Sequence, residues 1–231
     1  RKVQAEKDSS IYITEKVNFD TDDPAIWIHP TDASKSIIIG TDKDTNGGLF
    51  AFDITGKIVN KVPNLKRPNN VDLRYGFVLN GQNIDIAALT ERETNKVKLY
   101  SLPELKEVGE FNVFDGEQQR SPMGISLYKN PETQEIYAIV GRKAGPSGSY
   151  LGQYKLVEKE GKITGELVRK FGNFNGGKEI ESIAVDDALG YIYYSDEGFA
   201  VHQYYADPNK GNDELLLFGK GDFKEDIEGI S

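Results

Sequence analysis

Charged residues recur along the chain in short clusters whose residue types suggest where chemistry would be done. Asp42-Lys43-Asp44, Glu91-Arg92-Glu93, Arg142-Lys143 and Asp196-Glu197 each follow directly on an apolar run. A second series precedes such runs: Asp22-Asp23, Asn69-Asn70 with Asp72, Glu179 and Glu181, then Asp226 and Glu228. Clustered carboxylates repel one another unless cations sit between them. Ca2+ takes about six to eight oxygens in irregular geometry, which suits carboxylates drawn from several loops. Lysine and arginine beside such ions suit an anion, phosphate above all, because arginine can grip it with two hydrogen bonds. Phosphoryl transfer spreads charge over several oxygens, so metal ions with cationic side chains match what its transition state requires. Any one of these residues alone reads as a solvated loop charge; only the patterned set points to a site.

The elements that must position these clusters repeat. Gly48-Leu-Phe-Ala-Phe-Asp-Ile, Lys96-Val-Lys-Leu-Tyr-Ser-Leu, Leu151-Gly-Gln-Tyr-Lys-Leu and Ala200-Val-His-Gln-Tyr-Tyr alternate apolar and polar residues around an aromatic. Those aromatics, Phe52, Tyr100, Tyr154 and Tyr204, are spaced 48, 54 and 50 residues apart. Each segment is followed by a turn and a further alternating stretch (GKIVNKV, LKEVGEF, ITGELVRKF, ELLLF). Upstream lie PAIWI, NVDLR, GISLY and SIAVD, and between the sets run SIIIGTD, IDIAALT, IYAIVGR and YIYYSD. Each unit therefore predicts four strands, a to d, in about 50 residues, the signature of a β-propeller. Turn signals fall where this needs them, at Thr55-Gly56, Asn80-Gly81, Asn130-Pro131 and Asp187 to Gly190. Glu228-Gly-Ile-Ser predicts the opening of a fifth unit. The reading is one all-β propeller domain over residues 1–231, four blades and the start of a fifth, C-terminally incomplete. In a four-stranded antiparallel blade, the b–c loop and the d–a connection share one face. That face is expected to gather a basic arc from units one to three and an acidic arc from unit four, the fifth start and Asp22-Asp23.

Composition narrows the alternatives. Among 231 residues there are no cysteines, 28 basic and 37 acidic side chains, and two histidines. The formal net charge of −9 argues against nucleic acid as a partner. Without cysteine there is no disulfide framework, thiolate nucleophile or cysteine metal site. Two histidines, with no Arg-His-Gly-like motif, leave little for phosphohistidine chemistry, so any metal should be a hard cation held by oxygen. No apolar run approaches the roughly 18–20 residues of a membrane span, and the opening RKVQAEKDSS lacks the apolar core of a signal peptide.

Several segments together resemble the β-propeller phytases. These are Asp-Asp-Pro-Ala-Ile-Trp (22–27), Asn-Asn-Val-Asp-Leu-Arg-Tyr (69–75), Leu-Asn-Gly (79–81) with Ile-Asp-Ile-Ala-Ala (84–88), Glu181 with Asp186-Asp187, and Asp-Ile-Glu-Gly (226–229). The likeness runs in order from about residue 20 to the end. It implies a ring of six blades when complete, and a monomeric, calcium-dependent phosphomonoesterase acting on inositol hexakisphosphate. The implied mechanism is direct attack by calcium-activated water on phosphorus, without a phosphoenzyme. The resemblance puts Lys43 and Arg92 on substrate phosphates, and Arg142 where the family has a phosphate-binding lysine. Glu181, Asp196, Asp226 and Glu228 match carboxylates that hold several calcium ions, with Asp22 or Asp23 contributing; Asp196 stands where glutamate is usual. The expected catalytic set is thus Lys43, Arg92, Arg142 and Asp196, with Lys143 a further substrate contact and Glu197 a further metal ligand. Met123 falls where the family has an active-site tyrosine, and Asp44 where it has a second lysine. Calcium dependence implies a secreted or periplasmic setting, where weak sites are filled.

Other conspicuous residues read as structural. Trp27 fits blade packing, His29 a turn before Pro30, and His202 the middle of a blade. The Gly145-Pro-Ser-Gly-Ser149 loop has no following helix, so it is not a phosphate loop, though it can rim the site, as can Asn173 to Gly177. A lactonase-like propeller hydrolase would account for the carboxylates without needing Lys43, Arg92 and Arg142 to converge. A non-catalytic propeller that binds partners on the same face, with structural calcium, stays open, because it would use Glu181 and Glu228 too and Met123 removes an active-site tyrosine.

Overall fold

A computed structural model describes residues 12–223 and residue 230. Sixteen strands fall into four consecutive antiparallel units. The first contains β1 (Thr21–Trp27), β2 (Ile37–Asp42), β3 (Gly47–Asp53) and β4 (Ile58–Leu65); the second, β5 (Pro68–Leu79), β6 (Gln82–Glu91), β7 (Lys96–Leu102) and β8 (Lys106–Asn112). The third has β9 (Pro122–Lys129), β10 (Ile136–Arg142), β11 (Leu151–Lys159) and β12 (Lys162–Phe171); the fourth, β13 (Ile183–Asp186), β14 (Tyr191–Asp196), β15 (Ala200–Tyr205) and β16 (Leu216–Phe218). All sixteen strands predicted for the four units are present in the predicted order, and among the described residues the only helical turns are two three-residue 3-10 segments. The opening of a fifth unit lies outside the described residues.

The units stack as blades. Their first strands pack side by side, β1 on β5, β5 on β9 and β9 on β13. Three apolar layers lie between neighbouring blades. The first joins units one and two through Trp27, Ile39, Leu49, Leu73, Leu89 and Tyr100. The second joins units two and three through Ile86, Leu99, Phe111, Leu127, Ala138 and Tyr154. Tyr137, Ile139, Phe171, Ile192, Tyr194 and Tyr204 form the third, between units three and four. This arises because strands with a period of two present alternate side chains to the two sheet faces, and a blade with neighbours on both sides buries both. Each large apolar side chain so buried stabilises by about 1.5–3 kcal/mol. The architecture is an all-β, partial β-propeller. At its outer edge β8 and β12 touch in a single parallel pairing, Gly109 to Ile163, where an added Cβ on Gly109 would lie 2.0 Å from the Ile163 carbonyl oxygen.

Trp27 packs in the first layer as expected and also donates its indole N–H to Asp85 (2.8 Å). His29 is a turn residue whose Nδ1 accepts from the backbone of Thr31 and Asp32.

Gly124 on β9 controls how closely the third blade approaches the segment that carries Glu181. A Cβ there would lie 1.8 Å from the Glu181 carbonyl oxygen. We expect Gly124→Ala to cost about 1–3 kcal/mol in urea unfolding by forcing these backbones apart. Gly40→Ala, whose added carbon meets nothing within 4 Å, should cost nothing measurable.

Candidate functional site

The face carrying the b–c loops is organised by one repeated arrangement. In each unit the residue just past the second strand donates its backbone N–H to the connection leading into that unit's first strand. Lys43 bonds Asp20 O (2.8 Å), Arg92 bonds Arg67 O (2.9 Å), Lys143 bonds Ser121 O (3.0 Å) and Glu197 bonds Glu179 O (3.2 Å). The residue before it, last in the second strand, is buried in all four units: Asp42, Glu91, Arg142 and Asp196. Its side chain fastens the same connection. Asp42 accepts from the backbone N–H of Phe19 (3.3 Å) and Asp20 (2.8 Å), and Glu91 from that of Lys66 (2.8 Å). Arg142 donates to Gln119 O (2.9 Å), and Asp196 accepts from Asn175 N (2.9 Å) and Asn175 Nδ2 (2.7 Å). Buried polar groups of this kind must be paired, and unpaired connection backbone does the pairing.

Two expected site residues therefore hold anchoring positions. Arg142 is fully buried and gives its other N–H groups to Tyr150 O (3.2 Å), Ser149 O (2.6 Å) and the Glu117 carboxylate, with its guanidinium 4.1 Å from the Phe114 ring centre. Every nitrogen of its guanidinium group meets a protein acceptor, and the side chain is wholly buried. The Gly145 to Ser149 loop does not rim the site; it wraps Arg142, so closely that a Cβ on Gly145 would lie 2.4 Å from Arg142 Nε. Asp196 is likewise fully buried, and besides Asn175 it meets His202 Nε2 at 3.0 Å. The positions equivalent to Lys43 and Arg92 are Lys143, which is exposed, and Glu197. Within this chain, then, Arg142 and Asp196 are the equivalents of the buried Asp42 and Glu91, one residue before the positions of Lys43 and Arg92. Met123 is buried, with its carbonyl accepting from the Thr90 hydroxyl, so its side chain does not open on this face.

Around Lys43 and Arg92 the first-strand entrances bring carboxylates and amides together. Lys43 Nζ lies 3.7 Å from Asp22 Oδ1. Asn70 Nδ2 donates to Asp23 (3.1 Å), Asn69 Nδ2 to Glu181 (3.2 Å) and also to Asn70 Oδ1, linking the entrances of units one, two and four. Burial raises the Asp22 carboxyl above its usual range against the opposing charge of Lys43, and Glu181 adds to the rise. Desolvation raises Asp23 to about 6; the Asn70 hydrogen bond opposes this, while Asp22, Asp72 and Glu181 reinforce it. Arg92 is lowered, first by burial and then by the charge of Arg67, while Glu179, Glu181 and Asp22 favour its charge. Arg67 was not anticipated. It is exposed, sits at φ 59°, and donates its N–H to Asp44 O (2.9 Å), which joins the loops carrying Lys43 and Arg92. Asp44 thus serves the loop through its backbone.

Two buried polar atoms on this face have no partner among the described residues, Asp22 Oδ2 and Arg92 Nε. An orphaned carboxylate oxygen among like charges fits a cation, and an orphaned guanidinium N–H fits an oxyanion. The donor set, all carboxylate and amide oxygen, suits calcium. Among the described residues, however, no group of three or more His, Asp or Glu is gathered as a metal cluster. Asp226 and Glu228 lie outside the described residues. Beside Asp23 a cleft of about 590 Å³ opens between the first strands, lined by Asn70, Asp72, Arg74, Ser126 and Ser182. Arg74 bridges Asp72 (3.0 Å) and Asp187 (2.8 Å) across it.

A partial propeller of four blades, with one face setting lysine and arginine beside crowded carboxylates, is the class of protein that this geometry defines. The chain belongs to the phytase family, whose sequence model matches residues 2–231. It is 34% identical over 219 residues to a 3-phytase of Bacillus subtilis (strain 168), an alignment covering 91% of this chain and 55% of that protein. The chain thus spans about half the length of the curated relative it matches.

The Asp23 carboxyl gives a pH test. Its folded-state value, about 6, exceeds the ordinary 3.8. The folded state therefore holds its proton more tightly, an advantage complete below about pH 4 and lost as pH rises through about 6. In chelator-treated protein, Asp23→Asn should flatten the fall in melting temperature over that interval and raise stability at pH 7. An unchanged pH profile would show that Asp23 is not crowded by its neighbours.

Proposed function

We propose that this chain contributes the phosphate-binding face of a calcium-dependent phosphomonoester hydrolase that releases phosphate from inositol hexakisphosphate. The observation that carries the reading is the pairing of orphaned groups: Arg92 with an unpaired buried N–H, beside Asp22 with an unpaired buried oxygen. A phosphate with its cation satisfies both at once. Lys43 and Lys143, at positions equivalent to Arg92, complete a row of cations from three successive blades, and Arg67 extends it. Glu197, the fourth equivalent, is a buried carboxylate. The substrate class follows from charge, because one phosphate needs fewer cations than this row provides.

Asp22, Asp23, Glu181 and Glu197 are the carboxylates that would hold calcium here, with Asp226 and Glu228 from the adjoining segment. The chemistry calcium supplies when bound is neutralisation of phosphate charge and polarisation of the attacking water. The chain's own part is positional. Lys43, Arg92 and Lys143 bind phosphate oxygens and stabilise the charge that builds on them during transfer. Asn69 and Asn70 hold Glu181 and Asp23 in place, and the anchors behind them keep the loops from yielding. Arg142 and Asp196 belong to those anchors. The calcium requirement accords with a secreted or periplasmic enzyme working as a monomer.

Phosphate release from calcium phytate is expected from the full-length protein and should vanish on adding chelator. Arg92→Ala should lower kcat about 100-fold or more while leaving the calcium-induced rise in melting temperature intact. Release that survives chelation contradicts the calcium reading. A large loss of stability in Arg92→Ala would instead make that residue structural.

A further inference from the structure

His202 lies on the third strand of the fourth blade, almost fully buried, with each ring nitrogen facing a carboxylate. Nε2 meets Asp196 Oδ2 at 3.0 Å, and Nδ1 meets Glu214. The ring lies flat on Tyr194, with centroids 4.6 Å apart and planes 17° apart. Packing and two hydrogen bonds thus leave the imidazole a single orientation.

The bonds that leave this cluster converge on one loop. Asp196 accepts from Asn175 N (2.9 Å) and Asn175 Nδ2 (2.7 Å). Tyr204 Oη accepts from Asn173 N (3.0 Å) and donates to Glu214 (3.4 Å), while Tyr194 Oη donates to Asn173 O (2.7 Å). A closed circuit therefore runs Asn173, Tyr204, Glu214, His202, Asp196, Asn175, with Tyr194 fastening Asn173 a second time. The loop held by these four bonds is the connection that delivers Glu179 and Glu181 to the face. Its far end is tied by the Glu197 N–H to Glu179 O and by Asn69 to Glu181. Among the described residues the anchors of the first two blades have no such support: Asp42 accepts from Phe19 and Asp20, and Glu91 from Lys66 and the Thr94 hydroxyl. A carboxylate without a fixed rotamer holds a loop less firmly, and support from behind is what orients such groups at functional sites.

We infer that His202 is a positioning residue of this site: by fixing Asp196 it pins Asn175 and sets where Glu179 and Glu181 stand on the face. The inference rests on the reading of that face as the phosphate- and cation-binding one. Asp196 acts in it as the link between His202 and the loop, with its oxygens turned to Asn175 and His202.

The test compares His202→Leu, which removes the donor to Asp196, with His202→Gln, which retains an N–H, in the full-length protein at one pH. Amide hydrogen exchange is read in peptides spanning 173–181, and the calcium concentration giving half-maximal phosphate release is measured alongside. For His202→Leu we expect exchange at Asn175 and Gly177 to quicken about tenfold or more, with β14 and β15 little changed. Half-maximal calcium should rise about tenfold, the usual effect of losing a group that orients ligands. His202→Gln should recover most of both. Exchange quickened equally throughout the fourth blade, Leu and Gln variants that behave alike, or an unchanged loop would each overturn the inference. Glu181→Gln serves as the control: if it leaves calcium dependence unaltered, the reading of the face has failed, whatever exchange at the loop shows.

Discussion

One buried polar side chain per blade, at the last position of the second strand, is the constraint on which the rest depends. A propeller places its loops at the ends of strands, where backbone groups lack sheet partners and must find others. Asp42, Glu91, Arg142 and Asp196 meet this need by reaching across to the preceding connection. Because strand side chains alternate, burying one residue turns its successor the other way. Lys43, Arg92 and Lys143, each at least partly exposed, inherit their place on the face from that alternation, while Glu197 stays buried beside Asp196.

The anchor is indifferent to the sign of its charge. A carboxylate accepts from connection N–H groups, whereas Arg142 donates to connection carbonyls; either satisfies a strand end. Arg142 is compensated by Glu117, which it shares with Lys170, and those two bonds hold Glu117 below its usual range against the effect of burial. Three cations and then a carboxylate run around the arc, so a polyanion on one side and its counter-cations on the other meet complementary charge.

Much of this was legible in the sequence. All sixteen strands followed from period-two alternation and turn residues, although where a blade buries both faces, as at β10, the alternation gives way to a run buried throughout. The charged pairs were legible too: Asp42-Lys43, Glu91-Arg92, Arg142-Lys143 and Asp196-Glu197 align as anchor and successor. The resemblance put Arg142 on the substrate with Lys143 as a further contact; nothing in the sequence shows that Arg142 is wholly buried and Lys143 exposed. His202 read as structural from its central strand position, and nothing in sequence spacing links it to Asn173 and Asn175, which come from the preceding connection. Arg67 carried no motif. Its role emerges only where its backbone ties two basic loops together.

The account turns on which member of each pair faces the ligand, and the third blade separates the two most cleanly. The measurement is melting temperature together with KM for calcium phytate, in full-length Lys143→Ala and Arg142→Met. Lys143→Ala should melt within about 1 °C of the parent and raise KM about tenfold, the equivalent of one charged contact. Arg142→Met, which leaves the carbonyls of Gln119, Ser149 and Tyr150 without their donor and Glu117 with Lys170 alone, should lose about 5 °C or more. The reverse outcome, with Arg142→Met stable but unable to bind and Lys143→Ala unstable, would contradict the account.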